Sequence, residues 1–205
     1  MSTVESAVVG NQIERELKLE VDDAFGLPDF TSLNVEVEDL GTKSMTAVYW
    51  DTTDLRLARA HYGVRHRTDK AWTVKGPSRR AHQVILERSE QEFDGPSTYP
   101  PAAVVARVRS AVGNGQLQPV IQVDTQRHRV GIRRGDAFID LAHDRVNVSS
   151  NGTNYGGFVE VELELVSGSD DLALELVEFL KLKGARTSKS ASKYIHALQL
   201  AGRWR

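Results

Sequence analysis

The 205-residue chain contains no cysteine, which excludes a disulfide framework and a thiol nucleophile. It also lacks a long apolar run. That absence argues against a membrane span or a secretory signal and leaves the cytoplasm as the default compartment. The formal net charge is only −2, so there is no whole-surface attraction to nucleic acid, and Arg79-Arg80 is too short a basic cluster to supply one. No low-complexity linker divides the sequence, which reads as a flexible tail over residues 1–12 and a single domain over residues 13–205. No Ser-His-Asp triad is identifiable at readable spacing, so no covalent intermediate is expected. His61, His82, His143 and His196 show no metal-ligand spacing.

What the sequence has is alternation. In Ile13-Glu14-Arg15-Glu16-Leu17-Lys18-Leu19-Glu20, a β-strand sends Glu14, Glu16 and Lys18 to one face and Leu17 and Leu19 to the other. Two carboxylates beside an ammonium suit a hard cation next to an anionic oxygen ligand. A second strand, Phe158 to Val166, puts Val159, Val161, Leu163 and Leu165 on one face and Glu160, Glu162 and Glu164 on the other. Neighbouring like charges destabilise a sheet, so cations from other strands or a bound metal are expected to face these glutamates.

Basic residues follow the same format. Val64-Arg65-His66-Arg67 and Gln126-Arg127-His128-Arg129 each place two arginines on one face and a histidine on the other, so His66 and His128 read as outward packing or surface groups. Trp72-Thr73-Val74-Lys75 adds a lysine, and Arg88, Glu90 and Glu92 share a face. Strands charged with both signs on one side and apolar on the other fit a closed barrel with the charges in its lumen. Its apolar outside then needs helices. These are expected over Asp54–Ala60, over Ala102–Val112 after Pro100-Pro101, and over Leu172–Lys181 with Asp170 or Asp171 as cap and Gly184 as stop.

The order of these segments, with Val48-Tyr49-Trp50-Asp51-Thr52, Trp72-Thr73-Val74-Lys75-Gly76, Arg88-x-Glu90, Asp144 and a late Ser192-Lys193, resembles the CYTH domain. This is the triphosphate tunnel metalloenzyme superfamily, which includes class IV adenylate cyclases, thiamine triphosphatases and inorganic triphosphatases. The resemblance runs from about Ile13 to Leu198. It implies an α+β fold, an eight-stranded antiparallel β-barrel with helices outside, whose tunnel binds a triphosphate with Mg²⁺ or Mn²⁺. Glu14 and Glu16 are then expected as metal ligands, with Glu160 and Glu162 as partners from the opposite wall and Asp144, Glu90 and Glu164 as further metal-site candidates. Lys18, Arg65, Arg67, Lys75, Arg127, Arg129 and Lys193 are expected to hold phosphate, with Arg88 either joining them or pairing with Glu90. Glu14, Glu16, Lys18, Lys75, Glu160 and Glu162 form the expected catalytic set, and Ser188-Lys189 competes with Ser192-Lys193 for the late lysine.

Chemistry agrees with that implication. A polyanionic triphosphate is met by arginine forks and by a divalent cation that screens charge on the leaving group, and a second metal lowers the pKa of attacking water. The expected reaction is hydrolysis of inorganic triphosphate, thiamine triphosphate or a nucleoside triphosphate, with cyclisation of ATP or non-catalytic binding as alternatives. Trp50 and Trp72 are weighed as stacking partners for an organic group, with packing favoured for Trp72. The expected partner is this small-molecule substrate, with no nucleic acid and no membrane, and a homodimer is the base-rate assembly.

Overall fold

The alternating segments become ten strands among the described residues, each antiparallel to its neighbours, in a computed structural model that describes residues 8–69, 71–81, 84–190 and 192–204. The long strands are β1 (Val8–Val21), β2 (Glu36–Asp51), β7 (Gln118–Arg134), β8 (Ala137–Ser150) and β9 (Thr153–Ser167). Shorter ones are β3 (Gly63–Arg67), β4 (Trp72–Lys75), β5 (Arg79–Arg80), β6 (Leu86–Phe93) and β10 (Arg186–Thr187). The hydrogen-bonded order runs β1-β9-β8-β7-β2-β3-β4-β6, and β6 pairs again with β1. Eight strands therefore close into an antiparallel barrel, with β5 and β10 as two-residue additions on β6 and β1. Closure removes the unpaired edges that an open charged sheet would expose.

Four helices, α1 (Arg56–Arg59), α2 (Ala102–Val112), α3 (Asp171–Leu182) and α4 (Lys193–Leu200), complete the described fold. In α2, Val104, Val108 and Val112 recur at helical spacing and pack on Trp50, Val64, Trp72, Val74 and Phe93 from the outer wall. Both tryptophans thus lie in this outer layer, edge-on to one another at 5.5 Å. The α3 face of Leu172, Leu176, Val177 and Leu180 covers Leu17, Leu19, Val161 and Leu163. Each fully buried leucine here contributes about 2 kcal/mol through the surface it removes from water.

Two expectations are revised. Residues 8–12, read as tail, begin β1 and pair with β6 from Val8 opposite Phe93 to Gln12 opposite Glu90, while residues 1–7 and His82 lie outside the described residues. Asp170 stands at the α3 N-cap without a capping hydrogen bond, because its carboxylate pairs with Arg15 instead. Gly184 does end the turn after α3, at φ +107°, where glycine avoids the Cβ penalty of the left-handed region. The element unread from sequence is α4, whose N-cap Ser192 accepts a hydrogen bond from the Ile195 amide at 3.2 Å.

Alternation also explains where α4 sits. Ala47, Tyr49, Ile121, Val123, Val146, Val148 and Phe158 are in phase with the charged inner residues of their strands, yet they are apolar. Tyr194, Ala197 and Leu198 of α4 pack onto this group, so one sector of the barrel end is filled by a helix.

The barrel depends on close approach of β8 and β9. Gly157 faces Asn147, and a Cβ there would lie 2.0 Å from the Val146 carbonyl oxygen. Gly157→Ala is therefore expected to destabilise the protein by about 2 kcal/mol or more. A urea midpoint equal to wild type would contradict the observed strand approach.

Candidate functional site

Strand register converts the separate motifs into one lumen. Lys18 lies opposite Glu162, Glu16 opposite Glu164 and Glu20 opposite Glu160 along the β1–β9 ladder. Asp144 lies opposite both Glu160 and Arg127, while Glu14 faces Arg88 and Lys75 faces Glu90. Glu160 and Glu162 were expected on the wall opposite Glu14 and Glu16. They are instead on the adjacent strand, because the polypeptide closes the barrel through a direct β1–β9 ladder.

Two knots of ion pairs follow from this register. In the first, Lys75 Nζ lies 2.6 Å from a Glu14 oxygen and 2.8 Å from Glu90, while Arg88 Nε donates to Glu14 at 3.0 Å and its Nη2 to Glu16. Arg88 thus pairs with Glu14 and Glu16, and among the described residues it makes no ion pair with Glu90. In the second, Arg127 donates a fork to Asp144 at 2.8 and 2.6 Å and also reaches Glu162. Lys193 Nζ contacts Asp144 and lies 2.8 Å from Glu160, and Lys18 contacts Glu162. Lys18 also lies 3.5 Å from Glu16, linking the two knots. Lys193 is therefore the lysine in the lumen, whereas the Lys189 amide binds Glu20 at an exposed position.

The remaining cations stand toward the rim. Arg67 and Lys43 approach Asp69 at 2.5 and 2.8 Å, and exposed Arg129 pairs with Asp140. Arg65 is different. Its nearest hydrogen-bond partner is the Tyr49 hydroxyl at 3.5 Å, and no carboxylate among the described residues lies within ion-pair distance. Lys43, Tyr49, Asp69 and Tyr194 line the cavity and were missed as site residues. Lys43 lies opposite Arg127 and Tyr49 opposite Arg65, relations fixed by long-range pairing. As for the histidines, His66 packs edge-on against Trp72 at 5.2 Å and His128 meets exposed Asp39 at 3.0 Å, both away from the lumen.

The electrostatics show which carboxyls are held ionised. Burial pushes the Glu14 carboxyl up, but Lys75 and Arg88 outweigh it and hold it well below the ordinary carboxylate range. Asp144 and Glu162 behave alike: burial raises them, while Lys193 and Arg127, joined by Lys18 at Glu162, bring them below their usual values. Glu160 ends above its usual value because burial prevails over Lys193 and Lys18. Glu164 is pushed up to about 7 by burial and then by the charge of Glu14, and it makes no hydrogen bond or ion pair among the described residues. For Lys18 and Lys193, burial lowers the ammonium pKa, but the surrounding carboxylates raise it above the ordinary lysine value.

A cavity of about 450 Å³ is lined by Glu14, Lys18, Arg65, Lys75, Arg127 and Glu162, while Asp144 and Glu160 are buried in contact with its Arg127 and Lys193. Asp144, Glu160 and Glu162 each present an oxygen, and these oxygens lie within 4.8 Å of one another. Three hard oxygen donors at that spacing fit a divalent cation. Lys193 Nζ now lies against all three carboxylates, 2.8 Å from Glu160 Oε1, so a positive charge is already seated among these oxygens and a divalent cation bound there would take its place. The compact acidic group therefore forms around Asp144, where Arg127 and Lys193 engage it as Arg88 engages Glu14 and Glu16. Among the described residues, no helix is long and apolar enough to cross a membrane.

Known proteins bear on this geometry in three ways. Two uncharacterized Mycobacterium tuberculosis proteins, from strains CDC 1551 and H37Rv, are each 29% identical over 220 residues, covering 95% of this chain. The chain spans 42% of the length of these curated relatives. A solved Hippeastrum protein, described as an adenylyl cyclase candidate with a dominant triphosphatase activity, aligns with a TM-score of 0.57 at 18% identity, covering 94% of this chain and 97% of its own. A Bacillus halodurans protein described as a candidate adenylate cyclase aligns with a TM-score of 0.55 at 18% identity, covering 93% of this chain and 98% of its own. At that identity the likeness is one of fold. The CYTH domain family profile matches residues 12–196, which contain every strand of the closed barrel except the first residues of β1, and the chain belongs to the CYTH domain family.

Proposed function

We propose that the chain is a metal-dependent triphosphatase that hydrolyses inorganic triphosphate, with thiamine triphosphate and nucleoside triphosphates as related substrates. The observation that carries this reading is the contact of the Asp144–Glu160–Glu162 group with the cavity-lining cations Lys18, Arg127 and Lys193, beside Arg65. Carboxylates supply a seat for Mg²⁺ or Mn²⁺ and the cations supply one for phosphate oxygens. Hydrolysis is favoured over cyclisation because Trp50 and Trp72, the tryptophans suited to stacking on a base, pack outside the barrel. Tyr49 and Tyr194 are stacked on each other at 4.8 Å.

In this mechanism Arg65 makes the first phosphate contact, since no carboxylate competes for its guanidinium within the described residues. Arg127 exchanges its fork on Asp144 for a fork on phosphate, with Arg67 and Arg129 receiving the chain nearer the rim. Lys18, Lys75 and Lys193 keep neighbouring carboxylates ionised and meet phosphate oxygens as point charges. Asp144, Glu160 and Glu162 would hold a divalent cation, which when bound would neutralise charge on the phosphate oxygens. Glu14, Glu16 and Glu90 are assigned as a second acidic set, released as Arg88 and Lys75 turn toward substrate. Water attacks the terminal phosphorus in line, its proton passes to the Glu164 carboxylate, and the bridging P–O bond breaks to release pyrophosphate. A carboxyl near pKa 7 without a partner suits that proton transfer.

Purified protein offered triphosphate, thiamine triphosphate or ATP is expected to release phosphate preferentially from triphosphate, with Mg²⁺ or Mn²⁺ and not with chelator. Cyclic AMP and pyrophosphate from ATP would instead assign a cyclase. Glu162→Gln is expected to lower kcat about 100-fold and weaken metal activation, and wild-type metal dependence would remove Glu162 from that role. Arg65→Ala is expected to raise KM for triphosphate about tenfold. Unchanged kinetics would place Arg65 outside the substrate path.

Glu164 gives a prediction of opposite signs. Its folded-state pKa lies above the usual 4.5, so its protonated form favours folding at low pH, and that stability is lost as pH rises from 4.5 through about 7. Glu164→Gln is expected to lower kcat about 100-fold, yet to stabilise the ligand-free protein at pH 8 by about 1 kcal/mol after discounting for solvent access. Near pH 4 the two proteins should be equally stable. Equal stability at pH 8 would show that the carboxylate pays no burial penalty there.

A further inference from the structure

We propose that Asp51 and Tyr194 are a positioning pair that fixes α4 in the barrel end and thereby sets Lys193 in the phosphate site. This inference rests on the triphosphatase reading for the role of Lys193. The Asp51 side chain is fully buried at 0% exposure and accepts five hydrogen bonds, one of them a long one from the Thr52 hydroxyl at 3.4 Å. Its Oδ1 accepts from the Thr52 amide at 2.7 Å and the Leu57 amide at 2.8 Å, and its Oδ2 from the Ala58 amide at 2.9 Å. The long-range one comes from the Tyr194 hydroxyl, which donates to Oδ2 at 2.9 Å across 143 residues of sequence. One carboxylate therefore ties the start of α1 to the first turn of α4.

The connection reaches the lumen from both sides of the Tyr194 ring. Lys193, the preceding residue, contacts Asp144 and Glu160. The ring itself stacks on Tyr49 with a 7° interplanar angle, and the Tyr49 hydroxyl is the acceptor facing Arg65. Burial and then the Asp51 charge both push the Tyr194 phenol up, so it keeps the proton that it donates. The α4 helix is eight residues long and has little intrinsic stability of its own. A buried charge-assisted hydrogen bond is a strong tether for so short an element. The Asp51 carboxylate faces the α1 amides, and the Tyr194 hydroxyl is committed to it. The effect of this hydrogen bond on substrate is transmitted through Lys193, since the Tyr49 stack does not depend on the hydroxyl.

Tyr194→Phe removes the hydrogen bond and keeps the ring stack. It is expected to raise KM for triphosphate about fivefold while kcat stays within about twofold. In a Lys193→Met background the same substitution should have no further effect on KM, as two residues acting through one contact require. An unchanged KM in Tyr194→Phe, or a full fivefold effect in the Lys193→Met background, would overturn the proposal. Native-state hydrogen exchange on wild-type protein tests the tether without a variant. The Leu57 and Ala58 amides and the α4 amides should open together as one unit. Opening of α4 alone at lower free energy would reject the tether even if Tyr194→Phe fails to fold. If wild type neither binds nor cleaves triphosphate, the functional reading fails and so does the assigned role of Lys193, whereas a shared exchange unit would leave Asp51 as a structural anchor alone.

Discussion

Charge neutrality inside a buried tunnel is the constraint on which the rest of the structure depends. Glu14, Glu16, Glu160 and Asp144 are each less than one-tenth exposed, and a lone carboxylate at such a position is strongly unfavourable. Removing one partner of a buried pair typically costs about 3–5 kcal/mol because the other charge is left uncompensated. The barrel answers this by setting Lys18 and Arg88 beside Glu16 and Lys193 beside Asp144 and Glu160. Antiparallel closure matters because it fixes the separation of strands far apart in sequence. Apolar burial under α2 and α3 then holds the wall that carries the charges.

Such a knot of paired charges suits exchange better than it suits stability. A buried ion pair contributes little net folding energy compared with an apolar replacement. Its groups can instead trade partners without either charge facing an apolar void. Arg127 on Asp144 and Lys75 on Glu14 hold acid and base ready, and phosphate and a divalent cation offer each the same sign of partner. Arg65 and Glu164 are the exceptions, one cation and one carboxyl without ion-pair partners among the described residues. They are the two groups with spare capacity for a ligand. The proposed function gives them different tasks for that reason.

Much of this was legible in the sequence where the signal was local. The alternation of Val159, Val161, Leu163 and Leu165 against Glu160, Glu162 and Glu164 fixed both faces of β9, and α2 begins and ends where Pro101 and Gly113 imply. Pairing was less legible because it is non-local. Nothing within Arg88-x-Glu90 says that Arg88 turns to Glu14 and Glu16, a choice made by the β1–β6 register. The adjacency of β1 and β9 was hidden for the same reason, and so was the compact group around Asp144. Helix α4 escaped because Ser192-Lys193 was read for its charge, although Ser192 also carried an N-cap signal. Asp51 looked like part of a motif, and its value appears only when Tyr194 arrives from the far end of the chain.

The most direct test is a crystal structure of the protein with Mn²⁺ and inorganic triphosphate. The account predicts an anomalous manganese peak among Asp144, Glu160 and Glu162, with phosphate density contacting Arg65 and Arg127 inside the barrel. Manganese and triphosphate bound only outside the lumen, with the Arg127–Asp144 and Lys193–Asp144 pairs intact, would contradict it.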